Sequence, residues 1–236
     1  MDADLVCFWC GESAPSSRDH VFPRNLFPEP MPADVTPITV PACERHNRAF
    51  SRDEEYFRDF VVGASYSHPD AREIWDAKSV RAFQRSPKYR DMLARDLHDV
   101  DYKTRGGIFL GRASVMTAQA ARVRVVLRKI VTGLYYSDFG TTLGFPAMRF
   151  GQLFTTEDFE PFRGVAAAMQ KREVGPVKFA FDRASDEPRG VVGILFFFGL
   201  LCFIVISDPR DPDVADPLIT TPDEGASKLW TPNEDR

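Results

Sequence analysis

Hydrophobic positions change rhythm several times along the chain. Over Ala118–Tyr136, Val123, Leu127, Ile130, Val131 and Leu134 fall at the spacing of one buried helical face, with Gly133 near the expected end. A second helical face begins with Phe57, Phe60 and Val61, behind a Ser51-Arg-Asp-Glu54 stretch that reads as a capping box. Cys43–Phe60 is either one helix or two joined at Ser51. Asp70–Leu97 holds charged helical pieces, and Gly106–Met116 reads as a strand. Phe179–Phe181 alternates and starts a sheet that Val191–Ser207 continues. Within that region Val191–Ile206 is an apolar run of sixteen residues. It is shorter than the roughly 18–20 residues that cross a bilayer. Gly193 and Gly199 interrupt it, and it is dense in Val, Ile and Phe. It therefore predicts two buried strands joined near Phe198-Gly199, not a membrane span.

The first forty residues have no such period and are crowded with proline, from Pro15 to Pro37. Long helices are excluded there. Two short strands fit, around Asp19–Phe22 and Ile38–Val40. A segment with so little regular structure needs something besides a large core to fix it, and a metal does this. Small and polar residues at Gly63–Pro69 mark a boundary. The expected organisation is a module at residues 1–63, a larger domain at 64–207 and an acidic, proline-rich tail at 208–236. No internal repeat is present.

Composition changes this picture little. At 44% hydrophobic and 27% charged, the chain has the profile of an ordinary globular protein, and twenty Phe against six Tyr predict a core rich in rings. The net charge is −4, but acidic residues are concentrated in the tail and the rest is near neutral. Charge thus neither supports nor excludes a nucleic-acid partner; a local basic face suffices. The opening MDADLVC is acidic and lacks the apolar stretch of a secretory leader, so a cytoplasmic chain is expected.

The cysteines change it more. Cys7 and Cys10 form a Cys-x-x-Cys pair, and Cys43 and His46 form a Cys-x-x-His pair. Two residues between ligands let both members of a pair reach one tetrahedral ion, and thiolate with imidazole selects zinc. Thirty-two residues separate the pairs, so the ion would close a loop around everything between them. Cys202 stands alone in the apolar run and reads as a core residue. The alternative for the other three is buried free thiols.

Inside the loop lies Asp19-His20-Val21-Phe22-Pro23, and Asn47 follows His46 directly. The order Cys-x-x-Cys, Asp-His-x-x-Pro, Cys-x-x-His-Asn resembles the HNH endonucleases over about residues 5–62. The resemblance implies an α+β chain: an N-terminal zinc-stapled ββα-metal (HNH) module followed by a mixed helix and antiparallel-sheet domain. It implies a metal-dependent endonuclease that hydrolyses phosphodiester bonds in DNA. His20 would be the general base. Asp19 and Asn47 would hold a catalytic divalent ion, Mg²⁺ or Mn²⁺, and Cys7, Cys10, Cys43 and His46 a structural Zn²⁺. Elementary chemistry agrees with these roles. A neutral imidazole can take a proton from water, and a hard ion prefers carboxylate and amide oxygens.

Two positions depart from the family pattern. His46 stands where the fourth zinc ligand is commonly Cys. Thr39 lies where many members carry Asn or His, and is expected to steady the His20 loop by a weaker hydrogen bond. Several arginines surround the motif, of which Arg24 and Arg48 are the candidate phosphate contacts. Other readings stay open: a zinc-stabilised module that binds nucleic acid or protein without cutting, or a nuclease whose substrate is RNA. Residues 64–207 are expected to recognise substrate, to dimerise or to meet a partner protein.

Overall fold

The computed structural model describes residues 5–12, 15–104, 106–153, 156–184 and 187–207; the tail predicted at 208–236 lies outside them. The chain is mixed α+β with antiparallel sheets.

Strand β1 (Ser17–His20) pairs antiparallel with β2 (Thr39–Ala42), placing Asp19 opposite Val40 and His20 opposite Thr39. Helix α1 (Glu44–Ala49) follows at once, and α2 (Ser51–Ala64) continues after Phe50. The region thus contains two helices. The capping box is not formed: Ser51 Oγ donates to the Arg48 carbonyl, and Phe50 takes the cap position without a side-chain bond. Glu54 is drawn elsewhere, as described below.

Helix α3 (Pro69–Ile74), a π turn at Trp75–Ser79, α4 (Val80–Arg85) and α5 (Pro87–Arg95) come next. The ribbon of β3 (Leu97–Lys103) and β4 (Phe109–Met116) leads to α6 (Ala120–Phe139). That helix runs past the predicted end and stops at Gly140, whose φ of 68° supplies a left-handed cap. Gly133 instead lies inside the helix.

A five-stranded sheet, ordered β5-β9-β8-β7-β6, completes the chain. Its strands are β5 (Met148–Leu153), β6 (Lys171–Val174), β7 (Val177–Arg183), β8 (Val191–Phe197) and β9 (Leu201–Ser207). Helices α7 (Thr156–Phe159) and α8 (Arg163–Ala168) lie between β5 and β6.

The sixteen-residue apolar run is the central hairpin β8–β9, turning through Phe198 (φ 53°) and Gly199 (φ 67°). One sheet face carries Phe179, Leu195, Phe197 and Phe203 against α2 and α6; the Phe57 and Phe197 rings meet edge-on at 5.3 Å. The other face carries Ile194, Cys202 and Ile204 against Phe159 and Phe162. Burial on both sides explains why these strands read as continuous apolar sequence without alternation. No helix among the described residues is long and apolar enough to cross a membrane.

The sequence boundary near Gly63 falls between α2 and α3. Side chains from either side of it, including Trp9, Phe57, Leu127 and Phe203, belong to one buried cluster. Gly133 shows how closely the two parts meet: a Cβ there would stand 2.9 Å from Val21 Cγ2. Glycine allows α6 to lie directly on the chain just after His20.

Candidate metal centre and the hairpin beside it

The Cys7–Cys10 segment folds into a tight knuckle. Gly11 N–H donates to the Cys7 carbonyl at 2.9 Å, and Gly11 adopts φ 70°. Phe8 N–H donates to the Pro41 carbonyl at 2.9 Å, which ties the knuckle to β2. Trp9 anchors it from within, packing edge-on against Phe50 (4.8 Å) and Phe145 (5.5 Å). On the other side Cys43 caps α1, and His46 projects inward from the first turn, 3% exposed.

These elements bring Cys7, Cys10, Cys43 and His46 together, with all four ligand atoms within 4.8 Å of one another. His46 Nδ1 stands 3.1 Å from Cys43 Sγ and 3.7 Å from Cys7 Sγ. A tetrahedral zinc with ordinary bond lengths separates such atoms by about 3.5–3.8 Å, so the group is able to hold a metal such as zinc.

The thiols are free. Burial pushes the Cys7 thiol up, but N–H groups of Cys10, Cys43 and Trp9 outweigh it and the net shift is downward. Burial drives Cys10 the other way, to about 11, assisted by the neighbouring sulfurs. Without an ion Cys10 keeps its proton, so metal binding must release it. Cys202, with its thiol pushed to about 12 by burial, is an inert core group as predicted.

Strand β1 carries two of the remaining candidates. By alternation Ser17 and Asp19 share one face, and Arg18 and His20 the other. Asn47, one turn beyond Cys43 on α1, donates from Nδ2 to Ser17 Oγ at 3.0 Å, and Ser17 Oγ donates to the Ala42 carbonyl at 3.1 Å. Asn47 therefore reaches the Asp19 side of the hairpin. Thr39 does not steady the His20 loop through its side chain. Its Oγ1 accepts from Arg18 Nε at 2.9 Å, and its carbonyl accepts from the same guanidinium at 2.7 Å. Thr39 lies diagonally across from Arg18 on one sheet face, and that geometry decides the pairing.

Asp19 is buried, at 8% exposure, and meets a cation from a distant element. Lys129 Nζ of α6 stands 2.9 Å from Asp19 Oδ2 and also donates to Glu54 Oε1 of α2. Burial pushes both carboxyls up, against the pull of the ammonium. The Lys129 side chain is 1% exposed. It is one helical turn from Gly133, whose close approach to Val21 brings this stretch of α6 against the hairpin.

Sequence reading missed both Lys129 and Glu54. Lys129 sits among apolar positions of α6, and Glu54 fitted the capping-box pattern. The available signal was a basic residue in the middle of an otherwise buried helix.

His20 is partly buried. Burial lowers its imidazole below the ordinary value, as do Arg24 and Lys129, while Glu54 acts in the opposite sense. The shift favours the neutral imidazole. Arg24 is exposed on a 3-10 turn (Arg24–Leu26) just beyond it. Arg48 is exposed on α1 and pairs with Glu44 at 3.1 Å.

Among the described residues, the Cys/His quartet is the converging group of His, Cys, Asp and Glu suited to a metal. Asp19 and Asn47 bring oxygen donors to the same side of the hairpin. The cation seated against Asp19, however, is an ammonium. The donor set for a divalent ion is thus incomplete in this arrangement.

Comparison with family models, with characterised proteins and with solved structures finds no match to this chain.

Proposed function

We propose that the chain is a zinc-stapled nuclease of the HNH kind that hydrolyses phosphodiester bonds in DNA. The observation that supports it best is the ββα hairpin closed by a Cys₃His group, carrying a His20 shifted toward its neutral form beside the charges of Lys129, Glu54 and Arg24. In this reading the quartet binds Zn²⁺, which holds β1, β2 and α1 together and leaves His20 free for chemistry. His20 takes a proton from the attacking water. Lys129, buried between Asp19 and Glu54, would act on His20 through its charge and hold α6 against the hairpin.

The family resemblance adds a divalent ion, Mg²⁺ or Mn²⁺, at Asp19 and Asn47; when bound it would neutralise charge on the phosphate. Free thiols kept for a metal suit a reducing compartment such as the cytoplasm.

The Asp19–Lys129–Glu54 contact favours a second reading. A tethered ammonium already satisfies the carboxylate, so the module could bind nucleic acid or protein without cutting.

Cleavage of plasmid DNA and of structured RNA by wild type and His20→Ala, with zinc content measured on both, separates these readings. The nuclease reading expects His20→Ala to lose at least about a hundredfold in rate with zinc unchanged. Faster cutting of RNA than of plasmid would move the substrate to RNA. If zinc-loaded wild type cuts neither nucleic acid with Mg²⁺ or Mn²⁺, the binding-module reading replaces it.

A further inference from the structure

Beyond His20 the chain passes through Arg24 into a pocket of about 600 Å³ that the metal centre does not use. Four cationic side chains line it: Arg58 from α2, Lys78 from the π turn, and Arg81 and Arg85 from α4. Asn25 and Gln84 add neutral polar groups, and Glu29 is the single acid among the lining residues.

The floor of the pocket is held rigidly. Arg58, 5% exposed, donates from Nε to Asp59 Oδ1 at 2.7 Å. Asp59 also accepts from Ser79 Oγ and from Tyr89 O–H, the latter at 2.7 Å. One buried carboxylate thus ties α2, the π turn and α5 together behind the guanidinium. Lys78 Nζ donates to the Phe27 carbonyl at 2.8 Å and lies 3.2 Å from Glu29 Oε1.

Burying an Arg–Asp pair is costly and seldom justified by stability alone. Here it fixes a cation at the bottom of a cationic depression. Crowding of positive charge is already felt inside: burial lowers the Lys78 ammonium, and Arg58 and Arg24 lower it further, against Glu29. A second depression adjoins the first through the shared Arg85 and adds Arg52, Arg122 and the acid Glu55; Glu55 lies 4.0 Å from Arg85, and Arg122 pairs with Asp53 at 2.7 Å. Cations outnumber acids across both depressions, and Arg24, which acts on both His20 and Lys78, links them to the hairpin.

We infer that the Arg58–Lys78–Arg81–Arg85 pocket is a phosphate-binding subsite, seating the nucleic-acid backbone beside the phosphate presented to His20. The identity of the ligand as nucleic acid rests on the nuclease reading; its phosphate chemistry rests on the pocket. Arginines and lysines around a concave site bind phosphate oxygens and release counterions, which fixes register without reading sequence.

The test uses the full chain and a fluorescent DNA duplex, with anisotropy read across a range of KCl and no divalent ion added. Arg81→Glu with Arg85→Glu changes two exposed side chains of the pocket. Arg163→Glu with Lys178→Glu is the control; these side chains are 66% and 68% exposed and carry the same charge change elsewhere. The pocket pair is expected to weaken binding at least about tenfold and to flatten the log K against log [KCl] slope by about 2, at roughly 0.9 per phosphate contact. The control pair is expected to keep most of the affinity and slope.

Equal weakening by both pairs, unchanged binding by the pocket pair, or no binding by wild type would overturn the inference. So would release of the duplex by ATP but not by inorganic phosphate at equal ionic strength, which would reassign the pocket to a free nucleotide. Cleavage is scored separately. Binding lost in the pocket pair without any wild-type cleavage would sink the nuclease reading and leave the subsite. Cleavage by wild type with pocket-independent binding would do the reverse.

Discussion

Lys129 is the residue on which the site turns. Its ammonium is buried between Asp19 and Glu54, two carboxylates from elements far apart in sequence. Removing one partner from such a group strands the others, at a cost of about 3–5 kcal/mol. Lys129→Ala should therefore lower the melting temperature sharply. Asp19 and Glu54 would then lack their cation, and Mn²⁺ should recover part of the loss. Recovery absent even at high Mn²⁺ would mean that these carboxylates cannot form a divalent site.

His20 gives a pH-dependent prediction. Burial and the neighbouring cations hold its folded value low, so the unfolded chain takes the proton first as pH falls through about 6.5. Its contribution to stability is complete above that value and is lost on acidification. The melting temperature of wild type minus that of His20→Ala should fall between about pH 8 and about pH 5.5; a constant difference would place His20 in ordinary solvent.

At the scale of elements, local spacing was enough to read some parts and not others. The two pairs of metal ligands were legible because short-range spacing fixes them; the two short strands were expected at Asp19–Phe22 and Ile38–Val40 and lie at Ser17–His20 and Thr39–Ala42. The β8–β9 hairpin was legible from length and glycine placement. Contacts between distant elements were not legible. Nothing local to Glu54 announces Lys129, and nothing local to Gly133 announces Val21. Helix α6 depends on that second contact, since a Cβ on residue 133 would stand 2.9 Å from Val21. Gly133→Ala must displace the Val21 side chain or shift α6 on the hairpin and should cost about 1–3 kcal/mol. Because Lys129 rides on the same helix, the proposed cleavage of DNA should drop as well. A Gly133→Ala protein with wild-type stability and rate would show that α6 does not position the site.

Across the whole molecule, the Cys/His quartet and the sheet share one core. Trp9 lies between two ligands and packs on Phe50 and Phe145, while Phe22 meets Phe179 of β7 at 5.1 Å. Loss of a metal held by the quartet, zinc in the proposed reading, should therefore propagate beyond the knuckle. Treatment with a strong chelator is expected to give one calorimetric transition at a lower temperature, together with a change in Trp fluorescence. Two transitions, the upper one unmoved, would mean that residues 64–207 fold without help from the metal.

The central claim is that the zinc-closed hairpin presents His20 for hydrolysis of a phosphodiester. It is tested most directly by the single-turnover cleavage rate of zinc-loaded wild type against zinc-loaded His20→Ala, on one labelled duplex with Mg²⁺ or Mn²⁺. The expected result is cleavage by wild type and a loss of at least about a hundredfold in the variant. Equal rates in the two proteins, or no cleavage by either, would contradict it.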